Sequence, residues 1–490
     1  MQLSLLIWIP LLTALILLWV PPAKARLVAC LGAAVQLVTG MVLLVVFLQA
    51  RSAGNNSQML FESRASWFTQ LSVQFHFGVD GTAVAMILLT ALVVLSGILV
   101  SWTEKRLQKE FFFLLTLLSM GAYGFFISLN LFTFFFFLEI AVIPKFLLIG
   151  IWGSGRKEYS AMKLALMLMA GSALVFLGLV GVYYHSSGSF DMLQIQSQAL
   201  PPAIQRQVFP FLFLGFGIFA AIFPFHTWVP DGHASAPTAA SMFLAGISMK
   251  LGGYGCLRVA TMLMPDAAQA YSWIIVLLST IAIVYGAFAT MMQKDLKYIN
   301  AYSSVSHCGF VLLGIGMMTP ASINGAVLQM ISHGLMTALF FAAIGMIYSR
   351  THTRMTAELG GLLKVMPFAS TVFVLAGLCS LGLPGLSGFV AEMTVFMGAW
   401  QRPEMGYHLA TILSCASIVI TAVYILRAAG KVIMGPIQEQ YLSLPDAYWY
   451  ERTAAILLIA AILVMGLAPF WIQDIIGNGL AQTSITVLPK

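Results

Sequence analysis

Runs of about twenty apolar residues recur from one end of this 490-residue chain to the other, and each is long enough to cross a hydrocarbon core. In lipid every backbone N–H and C=O must find a partner within the chain, so such runs fold as helices and not as open sheets. With 60% hydrophobic and 8% charged residues, the chain lies far outside the range of soluble domains. The expectation is an all-α polytopic membrane protein of about 14 transmembrane helices. They fall near 3–20, 27–48, 79–101, 111–128, 131–152, 160–184, 208–229, 237–260, 271–292, 298–318, 322–348, 367–391, 405–426 and 453–473. The first has no basic n-region and no small-residue cleavage site, so it reads as a retained helix. Longer connections occupy 49–78, 185–207 and 427–452.

Lysine and arginine set the orientation. With the N-terminus outside, the inside loops hold fifteen of these residues and the outside segments six. That bias, with an even number of spans, predicts both termini outside.

Two spans carry breakers in mid-membrane. The seventh holds Pro224 and runs to Pro230 in FPFHTWVPDGH; the twelfth reads LGLPGLSGFVAE, with Gly382, Pro384, Gly385 and Gly388 close together. Interrupted helices at matching places in two halves point to inverted repeats around an ion site. An ordinary proline kink is the alternative. The predicted division is helices 1–3 in residues 1–110, a first repeat of helices 4–8 in 111–260, a second of helices 9–13 in 271–432, and helix 14 in 433–490.

Charges inside such spans are costly, roughly 2.5–3.5 kcal/mol each at a helix centre. Glu139, Lys145, Lys163, Lys250 and Glu392 all fall there. Proton or ion handling is the function that explains them best. Glu139 follows a run of phenylalanines, where a carboxylate either changes protonation with its surroundings or stays neutral and structural. Lys250 sits among small residues in SMFLAGISMKLGGYG, where desolvation lets an amine alternate between charged and neutral. Lys163 is near the inside surface, so snorkelling to the headgroups competes with a relay role. His226, His307 and His333 could bridge gaps between Lys250 and Glu392, or simply pack. Ser303, Ser304 and Ser306 could hold water beside His307 or bond backbone.

Other classes are excluded. The net charge of +7 comes from basic residues scattered singly, not from a nucleic-acid-binding face. Cys30, Cys256, Cys308, Cys379 and Cys415 form no CxxC pair, so no metal site, iron–sulfur cluster or disulfide framework is expected; they read as small buried hydrophobes. No GxGxxG or Walker loop offers a cofactor site, so this chain is expected to bind none.

FHFGVDG (75–81), FFFFLEIAVIPKF (134–146), FPFHTWVPDGHASAPTAASMFLAGISMKLGGYG (223–255), QKDLKYINAYSSVSHCGF (293–310), QMISHG (329–334) and LPGLSGFVAE (383–392) closely resemble the antiporter-like membrane subunits of complex I. The resemblance runs from about Asp80 to Pro469. The M-type branch fits best, because the chain stops one span after the second repeat where the L type continues into a long lateral helix. The resemblance implies two inverted five-helix repeats with helices 7 and 12 discontinuous, and a mid-membrane line of charged residues joined by water. Glu139 matches the family's fifth-helix glutamate, Lys163 its sixth-helix lysine, Lys250 its eighth-helix lysine, His333 its eleventh-helix histidine and Glu392 its twelfth-helix residue near the outer exit. One position departs. Where the family usually has a lysine on the seventh helix this chain has Phe219, and Lys145 stands where the family is usually apolar. Lys145 is expected to supply that missing cation to Glu139.

The resemblance further implies a non-redox, proton-translocating subunit of an NADH:quinone oxidoreductase in a bacterial inner membrane or equivalent energy-transducing membrane. Its partners would be L- and N-type neighbours and the lipid bilayer, not nucleic acid, with NADH, FMN, iron–sulfur clusters and quinone handled by other subunits. A D-type subunit of a multisubunit cation/proton antiporter, the membrane arm of a hydrogenase, and a structural spacer with a lost channel are the alternatives.

Overall fold

A computed structural model of the chain describes residues 2–480. α1 (Leu5–Trp19) and α2 (Pro22–Ser52) lead into a hairpin of β1 (Leu60–Phe68) and β2 (Val73–Val79). Next come α3 (Gly81–Val100), α4 (Gln108–Ile127), α5 (Leu131–Ile140), α6 (Val142–Trp152), α7 (Lys157–His185), the short α8 (Met192–Gln198) and α9 (Pro202–Phe219). α10 (Trp228–Ser235), α11 (Thr238–Phe243) and α12 (Met249–Gly255) follow, then α13 (Pro265–Met291), α14 (Leu296–Met317) and α15 (Pro320–Thr351). The chain continues through α16 (Pro367–Ser380), α17 (Ser387–Trp400), α18 (Met405–Val432), α19 (Trp449–Leu467) and α20 (Phe470–Leu480). Nine of the described helical segments are long and apolar enough to cross a membrane, and α1 and α16 are shorter apolar helices.

The all-α class holds, with differences in detail. The connection at 49–78 contains the antiparallel hairpin, which bridges to Ser128 at the end of α4 and defines one face of the molecule. The fifth span is two helices, α5 and α6, meeting at Ala141. Pro144 lacks an N–H and its ring blocks the carbonyl four residues earlier, and Ala141 N–H is shared between the Phe137 and Leu138 carbonyls. The second half of the twelfth span runs on to Trp400, nine residues past its expected end. The last expected span, 453–473, ends early at Leu467, and a further helix, α20, starts within its expected limits at Phe470 and packs against α3 and α15.

The two broken helices are real interruptions. α9 stops at Phe219 and the chain crosses an irregular stretch before α10, with the Trp228 indole donating to the Ile218 carbonyl at 3.0 Å. α16 stops at Ser380, and Gly382 and Gly385 turn the chain with positive φ before α17 begins. Gly388 is forced by closeness: a Cβ there would lie 2.0 Å from the Cys379 carbonyl oxygen. α12 is flanked by π-helical turns at Leu244–Ser248 and Cys256–Thr261, a distortion common at functional sites. At the centre stands α15, whose apolar window is wholly buried, packed on α3, α14, α16, α17 and α19.

Candidate functional site

The π-turns and glycines of the eighth span bring Lys250 to the middle of the molecule, where it is 1% exposed. Its ammonium donates to the carbonyl of Ala245 in the preceding π-turn and lies 2.7 Å from His333 Nδ1 on α15. The His333 ring stacks on His307 of α14, with centroids 5.3 Å apart. His307 Nδ1 is 3.4 Å from Glu392 Oε1 on α17 and 3.2 Å from Gln329 Nε2, while His307 Nε2 is 3.0 Å from Ser380 Oγ. Lys250, His333, His307 and Glu392 are each at most 4% exposed. Four ionisable side chains from four helices thus form a line in the buried interior, with close polar contacts at the two ends and a ring stack between His333 and His307 in the middle. The break in the twelfth span makes room for it: a Cβ at Gly382 would lie 2.6 Å from Glu392 Oε2.

Beyond His307 the polar path continues through Ser380 to Ser303, whose hydroxyl is 3.0 Å from Tyr424 OH. The other two serines of that motif bond backbone, Ser304 to Asn300 and Ser306 to Ile283.

Toward the face opposite the hairpin, Lys163 of α7 pairs with Asp231 of α10 at 2.7 Å, and Tyr298 OH donates to the same carboxylate at 3.2 Å. The lysine's side chain is 25% exposed beside that partner. His233, two residues beyond Asp231, is 0% exposed, and neither ring nitrogen has a hydrogen-bond partner among the described residues. Its ring stacks against Phe341 of α15. The carbonyls at the end of α10 are held by two cations: Lys297 donates to Ala236 at 2.6 Å and Arg354 to Ala234 at 2.7 Å.

Glu139, half-buried, accepts a hydrogen bond from Ser172 of α7. Lys145 is 1% exposed and its ammonium has no hydrogen-bond partner among the described residues. It makes no direct ion pair with Glu139. Instead it lies 5.9 Å from the centroid of the Phe219 ring, so the lysine of α6 reaches the seventh-span position it was expected to replace. His226 stands apart from the central line: it stacks on Phe223 and meets Tyr285 edge-on at 4.9 Å.

Sequence reasoning did not single out Asp231, His233, Ser172, Gln329, Ser380 or Tyr424. The first two lie inside the quoted PDGH stretch, at the end of an expected span where polar residues read as loop. Gln329 opens the quoted QMISHG stretch but is uncharged, and Ser172, Ser380 and Tyr424 are uncharged and lie in no quoted motif. It also passed over the buried pair Asp80–Arg258 at 2.6 Å. Of the cysteines, Cys256, Cys308 and Cys379 are buried as expected, but Cys30 on α2 is only half-buried and Cys415 is exposed on α18.

The family description "NADH:quinone oxidoreductase/Mrp antiporter, TM" matches residues 128–421, which include this whole line. The chain belongs to that family. It is 34% identical over 484 residues to NADH-quinone oxidoreductase subunit M of Rickettsia bellii, covering 96% of both chains. To NAD(P)H-quinone oxidoreductase chain 4 of Microcystis aeruginosa it is 36% identical over 438 residues, covering 88% of this chain and 79% of that one. Among solved structures, a chain of respiratory complex I from Thermus thermophilus superposes with a TM-score of 0.88 at 25% identity, covering 98% and 99% of the two chains. A chain of the Mrp complex from Dietzia shares the fold, with a TM-score of 0.86 at 20% identity and coverage of 98% and 97%. The family's multi-pass membrane character accords with the apolar helices, and these structural neighbours are parts of multisubunit membrane complexes.

Proposed function

We propose that this chain is the M-type, proton-translocating membrane subunit of a respiratory NADH:quinone oxidoreductase. The observation that carries the reading is the direct series of contacts from Lys250 through His333 and His307 to Glu392, in a chain whose relatives are named for that enzyme. The subunit does no redox chemistry; partner subunits oxidise NADH and reduce quinone, and L- and N-type neighbours flank it in the membrane arm. It sits in a bacterial inner membrane, or an equivalent energy-transducing one, with both termini outside.

In this reading Lys163, held by Asp231, takes protons from the inside face, and buried His233 links that pair toward Lys250. A proton on Lys250 is shared toward His333 Nδ1, because an amine and an imidazole 2.7 Å apart cannot both be charged at low cost. Moved on to His307, the charge meets Glu392, and the resulting ion pair is broken when the proton leaves for the outside. Glu139 and Lys145 are the gate whose charge contact shifts when the driving event arrives. Such coupling needs two states that differ in these contacts. His226 packs against aromatic rings and is left out of the path.

A cation/proton antiporter subunit of the same fold is distinguished by its driving force. In vesicles bearing the assembled complex, NADH should drive proton uptake, and an imposed sodium gradient without NADH should drive none. Sodium-driven proton movement without NADH would overturn the assignment.

A further inference from the structure

One helical turn beyond Lys250 on the hairpin side is Tyr254, and one turn beyond that is Arg258. The straight distance from the central lysine to the Arg258 level is eight residues, about 12 Å of helix rise, a short route to the hairpin face. Among the described residues the Tyr254 phenol lies along it, and the Cys256 thiol is turned aside onto the Phe213 carbonyl at 3.6 Å. Tyr254 is enclosed by Phe125 and Phe126 at the end of α4 and Phe134 in the first turn of α5, with ring centroids 5.9, 5.1 and 6.3 Å away. Phe216 of α9 closes the box against Phe134 at 5.9 Å. All five rings are at most 2% exposed. The packing leaves little slack: Phe125 and Phe134 centroids are 3.7 Å apart, and a Cβ on Gly255 would lie 2.3 Å from the Phe216 ring.

The polar groups at this level are all committed. Tyr254 OH donates to the Phe126 carbonyl and accepts from Arg258 Nε and Nη2, each at 3.3 Å. Arg258 Nη2 is 2.6 Å from Asp80 Oδ2, and Asp80 Oδ1 caps α3 by accepting from Ala83 N–H. A guanidinium does not give up its proton in proteins, so this pair is a fixed charge and not a stepping stone. The Lys250 ammonium, for its part, points back to Ala245 and His333, away from the phenol.

We propose that Phe125, Phe126, Phe134, Phe216 and Tyr254, lidded by Arg258–Asp80, form an insulating seal. It keeps the proton on Lys250 from leaking along the short route to the hairpin face. Transfer is thereby confined to the longer line through His333 and His307. The inference rests on Lys250 carrying protons, and its test separates the two ideas.

The test is the passive proton leak of the assembled complex in vesicles, without NADH, under an imposed pH difference. Phe134→Ala opens the box and should raise the leak several-fold over wild type. Phe340→Ala, at an equally buried ring against Phe373 between α15 and α16, should not. Adding Lys250→Met to Phe134→Ala should return the leak to the wild-type level, since the lysine is the inner end of the short circuit. Tyr254→Phe keeps the ring that fills the box and should leave the leak at the wild-type level. A tight Phe134→Ala complex, a leak that survives loss of Lys250, or a raised leak in Tyr254→Phe would each overturn the seal. Normal pumping in Lys250→Met alone would instead overturn the role of Lys250.

Discussion

Lys145 offers the sharpest separation of function from stability. Its ammonium is buried to 1% exposure without a hydrogen-bond partner among the described residues, and an unsatisfied buried polar group costs about 1–3 kcal/mol. Methionine has similar length and fills apolar gaps well. Lys145→Met should therefore raise the thermal stability of the assembled complex. The electrostatic effect runs the other way. Six residues separate it from Glu139, about 9 Å of helix rise. Two unit charges at that range with an effective dielectric of about 20 interact by about 2 kcal/mol. Losing that coupling at a gating carboxylate should slow NADH-driven proton pumping by about 30-fold. Because the lysine lies over the Phe219 ring, Phe219→Lys placed on top of Lys145→Met returns a cation to nearly the same spot and should recover most of the lost rate. The assay is proton uptake by vesicles during NADH oxidation, alongside a melting curve. Full pumping in Lys145→Met, or a double variant no better than the single, would refute the reasoning.

Two further perturbations read the scaffold. Gly388→Ala should block the break that seats Glu392, since its Cβ would meet the Cys379 carbonyl at 2.0 Å; pumping should be lost with subunit assembly retained, checked by co-purification. On the hairpin face, Asp191 caps α8 and binds buried His76 at 2.9 Å. Burial alone would raise its carboxyl, but the His76 hydrogen bond and charge, the Gln194 N–H and Arg64 together hold it below the usual carboxylate range. A depressed carboxylate stabilises the fold above its unfolded value, near 3.9, and that contribution fades as pH falls through the lower folded value. Asp191→Asn should thus destabilise the hairpin junction by about 1.5–3 kcal/mol at neutral pH and by progressively less below about pH 4. Hydrogen exchange of the hairpin amides measures this.

What the sequence revealed follows from how conspicuous each feature is against hydrocarbon. Lys250 and Glu392 stand out because a charge in an apolar run has no cheap explanation, and Pro224, Pro384 and the nearby glycines announce the interrupted helices. His333 and His307 could be named, but that they stack and bridge the lysine to the glutamate depends on four helices meeting, which no single segment encodes. The Lys145–Phe219 approach is of the same kind: the residues lie seventy-four positions apart. The hairpin escaped because two register irregularities, between Leu60 and Ser63 and between Ser66 and Phe68, blur its alternation. α20 escaped because WIQDIIGNG is too polar and too short to read as a span.

The central claim is that the buried line of ionisable groups carries the pumped protons. The most direct test counts protons taken up per NADH oxidised by the assembled complex in sealed vesicles, comparing wild type with Lys250→Ala and Glu392→Gln. The account predicts that both variants assemble and yet lose this subunit's share of the ratio. An unchanged ratio at full turnover in both would contradict it.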